Sequence, residues 1–258
     1  MARFDGRSLR ARRYLVPGAG EPRPLIIDFH GGGFVIGSPE LKDWFNGELA
    51  ARLGAIVVSP RYRLAPEHRY PAAHEDAVGF LRWAGREAPR WGADPGRLAL
   101  LGDSAGAILA GYAAHASVRD PSLPMPAVQV LLYPGTDFSR AYQSQLDNTD
   151  ATMLTAEEMS VYLDLYFGDH DRRDPNISLL RMDKLDALPP AIIVTAEYDL
   201  LRDQGVAYAD ALRRAGVPVR HSTYLGTAHG FVSSPGIYRA ARQVLSDVTE
   251  ELRARLAR

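Results

Sequence analysis

One serine in this chain stands where a nucleophile would. Ser104 lies within Gly102-Asp103-Ser104-Ala105-Gly106, after the apolar run 98–101 and before a small-residue segment with helical spacing. The pattern implies a strand, a sharp turn and a helix. In a G-x-S-x-G elbow the two glycines lack the Cβ atoms that would strike neighbouring chain. The Ser104 hydroxyl would then sit at a helix N-terminus, where free N–H groups stabilise developing negative charge. A serine that merely caps the helix is the competing reading. The flanking strand and helix favour the nucleophile, and the chemistry would be acyl transfer.

A serine hydroxyl is a poor nucleophile at neutral pH and needs a base, with an acid to orient that base. Where the serine sits at such an elbow, the partners follow in the order serine, acid, histidine. Of the seven histidines, only His221 and His229 follow both Ser104 and the apolar strand expected at 191–195. His221 falls inside an alternating strand, on the face of Val217, Val219, Thr223 and Leu225, whereas His229 falls in the loop Gly226-Thr227-Ala228-His229-Gly230-Phe231. His229 is therefore the expected base. Glu197, Asp199 and Asp203 are the candidate acids after that strand. Asp203 begins a helix and is explained by N-capping, and Glu197 lies close enough to the strand to face away. Asp199 is the expected acid by position.

The tetrahedral intermediate of acyl transfer carries an oxyanion that needs preorganised donors. Asp28-Phe29-His30-Gly31-Gly32-Gly33-Phe34 follows a strand and lets backbone amides approach a ligand closely. The N–H groups of Gly32 and Gly33, with that of Ala105, would make a three-donor hole. A phosphate cradle is the alternative, but the loop has neither G-x-G-x-x-G nor a lysine-serine ending. His30 is read as a brace for the loop.

These side chains need a scaffold. Strands are expected at 8–16, 24–29, 55–59, 97–101, 128–133, 191–195 and 219–225, and helices at 41–53, 72–87, after Ser104, at 203–215 and from 236 onward. Such alternation implies a mostly parallel sheet covered on both faces, with ligands beyond the carboxyl ends of its strands. The arginines of 8–16 suit a solvated edge. More than fifty residues separate the strands near 134 and 191, too many for a simple crossover. Within them Thr155 and Glu158 form a capping box, Met159, Tyr162, Leu163 and Tyr166 share an apolar face, and Gly168 closes the helix. One domain over residues 1–258 is expected, with a cap insertion at about 136–188 folded over the strand ends.

The bulk composition narrows the function classes. A net charge of −1 gives no field to draw the chain to nucleic acid or an anionic membrane. Cysteine is absent, which removes disulfides, thiolate catalysis and cysteine metal sites. No metal or cofactor is expected. Lysine occurs only at Lys42 and Lys184, every other basic side chain being arginine. The N-terminal positive charge precedes no long apolar segment, and no run is long enough to span a bilayer, so cytoplasmic residence is expected. The strand at 219–225 suits a sheet edge, where pairing with a second copy is one route to a homodimer.

With these pieces together, the chain resembles the hormone-sensitive-lipase-like esterases, also called bacterial family IV, of the α/β-hydrolase superfamily. The matching stretches are HGGGF at 30–34, YRLAPEHRYPAAHEDA at 62–77, GDSAG at 102–106, EYDLLRD at 197–203 and AHGF at 228–231, in the family's order. The resemblance implies an α/β-hydrolase fold and a serine carboxylesterase acting on small-molecule esters without a cofactor. It assigns the nucleophile to Ser104, the acid to Asp199, the base to His229 and the oxyanion donors to Gly32, Gly33 and Ala105. Residues 62–77 would fix loop geometry around the site.

One departure from the family concerns the cap. Family members carry a longer N-terminal extension, whereas fewer than thirty residues precede His30 here. A reduced helical cap and an open pocket are expected, favouring small or short-chain acyl esters. An amidase or deacetylase of arylformamidase type is the alternative within hydrolases, since the same site cleaves activated amides. A non-catalytic small-molecule receptor, as in the plant gibberellin receptors with their degraded triad, is opposed by the presence of all three triad residues.

Overall fold

The computed structural model describes residues 1–4, 6–18, 20 and 22–257. The chain begins with short strands β1 (Ala2–Phe4), β2 (Arg7–Leu9) and β3 (Ala11–Tyr14). It continues through β4 (Arg23–Phe29), α1 (Asp43–Leu53), β5 (Ile56–Pro60), α2 (Ala72–Glu87), β6 (Ala93–Asp103) and α3 (Ala105–Arg119). After β7 (Val128–Leu132) come α4 (Gln143–Asp147) and α5 (Ala156–Phe167), then β8 (Ala191–Tyr198), α6 (Arg202–Arg214), β9 (Val219–Ala228) and α7 (Arg239–Arg255).

Among the described residues seven strands form one sheet in the order β3-β5-β4-β6-β7-β8-β9. Only the β3–β5 pairing within it is antiparallel. The inner strands β4, β5, β7 and β8 and the second half of β6 are buried on both faces because both are covered, while the edge strands β3 and β9 are largely exposed. Leu25 and Ile27 of β4, with Leu98 and Leu100 of β6, face a core shared with α2, α3 and α6. The alternate residues Ile26, Ala99 and Leu101 face a second core built with Phe45 and Leu49 of α1 and Val244, Leu245 and Val248 of α7. Each fully buried Leu or Ile contributes about 1.5–3 kcal/mol relative to exposure. Helix α3 is Ala/Gly-rich because it is enclosed: a Cβ at Gly111 would meet Leu179 Cδ1 at 2.6 Å.

The strand expected at 8–16 breaks at Arg10. Its first part pairs with β1 in a separate two-stranded sheet and its second pairs with β5. Arg12 there is not merely solvated, since its guanidinium binds Glu40 at 2.9 Å and Asp43 at 3.0 Å. Strand β6 is longer at both ends than the expected 97–101, and α1 begins at Asp43 after a 3₁₀ turn at Pro39–Lys42. Asp203 does not cap α6. The N-cap position is Leu201, and the Asp203 carboxylate instead accepts the Ser144 N–H at 2.7 Å, tying α4 to α6.

In the interval after β7, Thr155 caps α5 as its spacing implies. Its hydroxyl accepts from the Glu158 N–H at 3.1 Å, and the Glu158 carboxylate accepts from the Thr155 N–H at 2.8 Å. Gly168 ends the helix at φ 53°. Strand β9 closes one edge of the sheet. Among the described residues no helix is long and apolar enough to cross a membrane.

Candidate active site

Ser104 joins β6 to α3 at φ 53° and ψ −122°, a left-handed conformation that an L-residue adopts only under tertiary constraint. Backbone packing enforces the turn. A Cβ at Gly102 would come within 2.1 Å of the Gly106 carbonyl oxygen, and one at Gly106 within 2.0 Å of the Phe29 carbonyl oxygen. The Ser104 N–H donates to the Leu132 carbonyl at 2.9 Å, fastening the elbow to β7.

His229 directly follows β9, and its Nε2 lies 2.8 Å from Ser104 Oγ. Nδ1 lies 2.8 Å from Asp199 Oδ2. With the proton assigned to Nδ1, that nitrogen donates to the carboxylate and Nε2 is left to accept from the serine hydroxyl. Asp199 is fully buried, and its second oxygen accepts the Leu201 N–H at 2.8 Å. The imidazole packs edge-to-face with the Tyr133 ring, centroids 4.9 Å apart. The rejected candidates lie elsewhere: Glu197 accepts from the Gly226 N–H at 2.7 Å, and His221 lies 3.0 Å from Thr195 Oγ1.

Gly32 and Gly33 follow β4 with φ of 118° and 61°. The Gly32 carbonyl accepts from the N–H groups of Val35 and Ile36 at 3.0 and 2.9 Å, which closes the loop into a tight turn. Ala105 is the first residue of α3, so no intrahelical carbonyl reaches its N–H. His30 Nδ1 donates to the Gly31 carbonyl at 2.8 Å, and its ring stacks on Tyr62 at 4.2 Å. The Tyr62 hydroxyl donates to the His30 carbonyl at 2.7 Å, and burial lowers the His30 pKa. These contacts are those of a brace.

Residues 62–77 connect the loop to α5. The Ala65 N–H donates to the Phe34 carbonyl at 2.8 Å, and Arg63 binds the buried Asp76 at 2.9 Å. Phe34 stacks on Tyr166 of α5 at 4.2 Å, and the Tyr166 hydroxyl lies 2.9 Å from His74 Nδ1. A cavity of about 360 Å³ opens beside Ser104 and His229, walled by Phe138, Met153, Met159, Tyr162 and Leu163. One face of α5 thus lines the cavity while its C-terminal residues Tyr166 and Phe167 are buried.

A buried charge cluster beside the site is absent from the sequence expectations. Lys42 Nζ lies 2.5 Å from Asp28 Oδ1 and 3.2 Å from Asp103 Oδ1, and Asn46 Nδ2 donates to Asp28 Oδ2 at 2.7 Å. Burial pushes the ammonium toward neutrality, but the two carboxylates outweigh it and raise its pKa. The sequence signal for it was slight: Lys42 is one of only two lysines in a chain rich in arginine. Among the described residues no group of three or more His, Cys, Asp or Glu gathers where it could hold a metal.

A serine elbow at the carboxyl end of a central parallel strand, with a histidine and a carboxylate brought in from later loops, is the design of the α/β hydrolases. The sequence comparison agrees: a family profile for the alpha/beta hydrolase fold matches residues 26–233. Esterase LipI of Mycobacterium tuberculosis is 40% identical over 222 residues, covering 85% of this chain and 69% of the relative. An ethyl acetate hydrolase of Pseudomonas putida is 36% identical over 256 residues, 98% of this chain and 80% of the relative. The solved structure of a hyperthermophilic esterase from the archaeon Pyrobaculum calidifontis superposes with a TM-score of 0.92 at 38% identity, covering 97% of this chain and 83% of that one. The chain belongs to the alpha/beta hydrolase fold family, among its hormone-sensitive-lipase-like esterases.

Proposed function

We propose that this chain is a serine carboxylesterase that cleaves small or short-chain acyl esters through an acyl-enzyme. The carrying observation is the hydrogen-bonded relay from Ser104 through His229 to Asp199, with 2.8 Å at each step. Ser104 Oγ attacks the ester carbonyl as His229 Nε2 takes its proton. The same proton then passes to the leaving alcohol, and water activated by His229 releases the acid. Asp199 holds the imidazole in the required tautomer and offsets its charge. The amides of Gly32, Gly33 and Ala105 receive the oxyanion.

Residues 136–188 serve in this reading as the cap of a single hydrolase domain, supported by the side chains of α5 in the cavity wall. Small substrates are favoured by the modest cavity, and an ethyl acetate hydrolase stands among the relatives. A hydrogen-bonded relay supports turnover over a receptor role. Cytoplasmic residence and homodimer formation across the β9 edge complete the proposal; light scattering tests the latter.

The decisive experiment is reaction with a p-nitrophenyl phosphonate, followed by peptide mass mapping, alongside hydrolysis of p-nitrophenyl esters of increasing acyl length. The phosphonyl group is expected on Ser104, with turnover greatest for acetate or butyrate and lost in Ser104→Ala. Label at another residue overturns the site assignment. A rate maximum at long chains overturns the substrate class.

A further inference from the structure

The Lys42, Asp28 and Asp103 cluster touches both stretches that supply oxyanion donors in the proposed reaction. Asp28 lies at the end of β4, two residues before His30 and the glycine loop. Asp103 immediately precedes Ser104, and its carboxylate presses on Gly31, where a Cβ would stand 2.6 Å from Oδ2. Lys42 joins the two from the turn before α1. It is 2% exposed, and the Asp28 and Asp103 side chains are 0% and 8% exposed. A lone ammonium between two buried carboxylates leaves one net negative charge close to where an oxyanion must form. Without it there would be two. Opposing charges act strongly at such depth because little water screens them.

We infer that Lys42 is a positioning residue for ester cleavage: it cancels one of two carboxylate charges beside the oxyanion donors and docks Asp103 against Gly31. This rests on the serine-esterase reading above. A compact ammonium suits the slot, with both carboxylate oxygens within 3.2 Å of one nitrogen, whereas a planar guanidinium presents a wider fork. Of the two lysines in the chain, Lys42 is the buried one and Lys184 is exposed.

Removal of the cation also has a pH signature. Two carboxylates left together share one proton, released at higher pH than an ordinary carboxyl. His30, Tyr62 and Tyr133 lie within electrostatic reach of the pair, with Asp199 and His229 adjoining Tyr133. Burial and the nearby carboxylates raise both tyrosines well above their ordinary value, so they stay neutral across the working range. Loss of the shared proton would place a second negative charge beside the oxyanion, and kcat would fall as pH rises.

The test is kcat and KM for p-nitrophenyl acetate across pH in the wild type, Lys42→Met and Lys42→Met/Asp28→Asn, with phosphonate labelling of each. Lys42→Met should stay near wild-type kcat while the pair holds its shared proton and lose about 10- to 100-fold as that proton leaves at higher pH, with KM within about threefold. The double variant restores the single net charge, though not the original contacts, and should recover most of the loss and the flat alkaline limb. Wild-type kcat in Lys42→Met throughout the pH range overturns the inference, as does a folded double variant as slow at alkaline pH as the single one, which would mark a packing role. Should Lys42→Met fail to fold, the double variant decides alone: near wild-type turnover upholds the inference, and a loss of tenfold or more overturns it. If the wild type neither hydrolyses the ester nor takes label on Ser104, the esterase reading falls and this one with it. If the wild type does both and Lys42→Met matches it, only the role of Lys42 falls.

Discussion

Gly33 lies directly beneath Tyr162, so closely that a Cβ on the glycine would stand 2.5 Å from Cγ of the ring. Helix α5 and the proposed donor loop therefore meet at the Tyr162 ring, which rests on bare glycine backbone. Gly33 also adopts φ 61°, which an L side chain disfavours. Gly33→Ala must displace both the ring and the amide. Its kcat for p-nitrophenyl acetate is expected to fall on the order of 10²- to 10³-fold, the usual cost of one oxyanion donor, with a smaller change in KM. A variant within about threefold of wild type would remove Gly33 from the donor set.

Tyr162 belongs to the same contact but forms part of the cavity wall. Tyr162→Ala leaves the backbone of the loop unchanged and enlarges the space over Ser104. The ratio of octanoate to butyrate hydrolysis should rise by about tenfold, since added methylenes gain about 0.8 kcal/mol each when they find apolar cover. An unchanged ratio would show that acyl chains do not run along α5.

The features readable from sequence share a cause. Gly102 and Gly106 are required because backbone meets backbone at the elbow, so the pentapeptide carries its own geometry. His229 and Asp199 were separable from His221 and Glu197 because a loop after a strand can reach over the sheet edge, while a residue within the strand points to a face. The Lys42 cluster had no such local mark. Asp28 is next to last in an apolar strand and Lys42 fell at the start of an expected helix, and only the parallel packing of β4 and β6 brings Asp28 and Asp103 to one ammonium. The break at Arg10 was hidden for the same reason. Residues 8–16 alternate well enough for one strand, but β1 and β5 compete for its two halves. Asp203 satisfied the helix-start rule locally and was taken instead by the Ser144 amide, from an α4 that no spacing announced.

Gly106→Ala tests the elbow as a folding element. Its Cβ would overlap the Phe29 carbonyl oxygen at 2.0 Å, and neither partner is a flexible side-chain end. Separating α3 from β4 should cost about 3 kcal/mol or more, at the upper end for overpacking. The urea midpoint and the yield of soluble protein measure it. A midpoint equal to wild type would mean that the helix can shift freely, contrary to its enclosure.

His74 predicts how the fold responds to acid. Its imidazole is buried among Phe34, Tyr70, Tyr112, Tyr166 and Phe167, and burial lowers its pKa to about 3. The folded protein therefore keeps this ring neutral, while the unfolded chain protonates it near the ordinary imidazole value of about 6.5. Above that value neither state binds the proton and stability is unaffected. As pH falls from about 6.5 toward 3 the unfolded state alone gains it, and stability declines, by about 2 kcal/mol at pH 5. Burial lowers His30, His115 and His221 in the same direction, so the wild-type slope is a sum. His74→Gln isolates one contribution: less stable than wild type at pH 7.5 for loss of ring packing, it should lose about 2 kcal/mol less between pH 7.5 and pH 5. Urea midpoints at the two pH values measure the difference, and parallel declines in the two proteins would show that His74 is protonated in the fold and that its aromatic surroundings admit the charge.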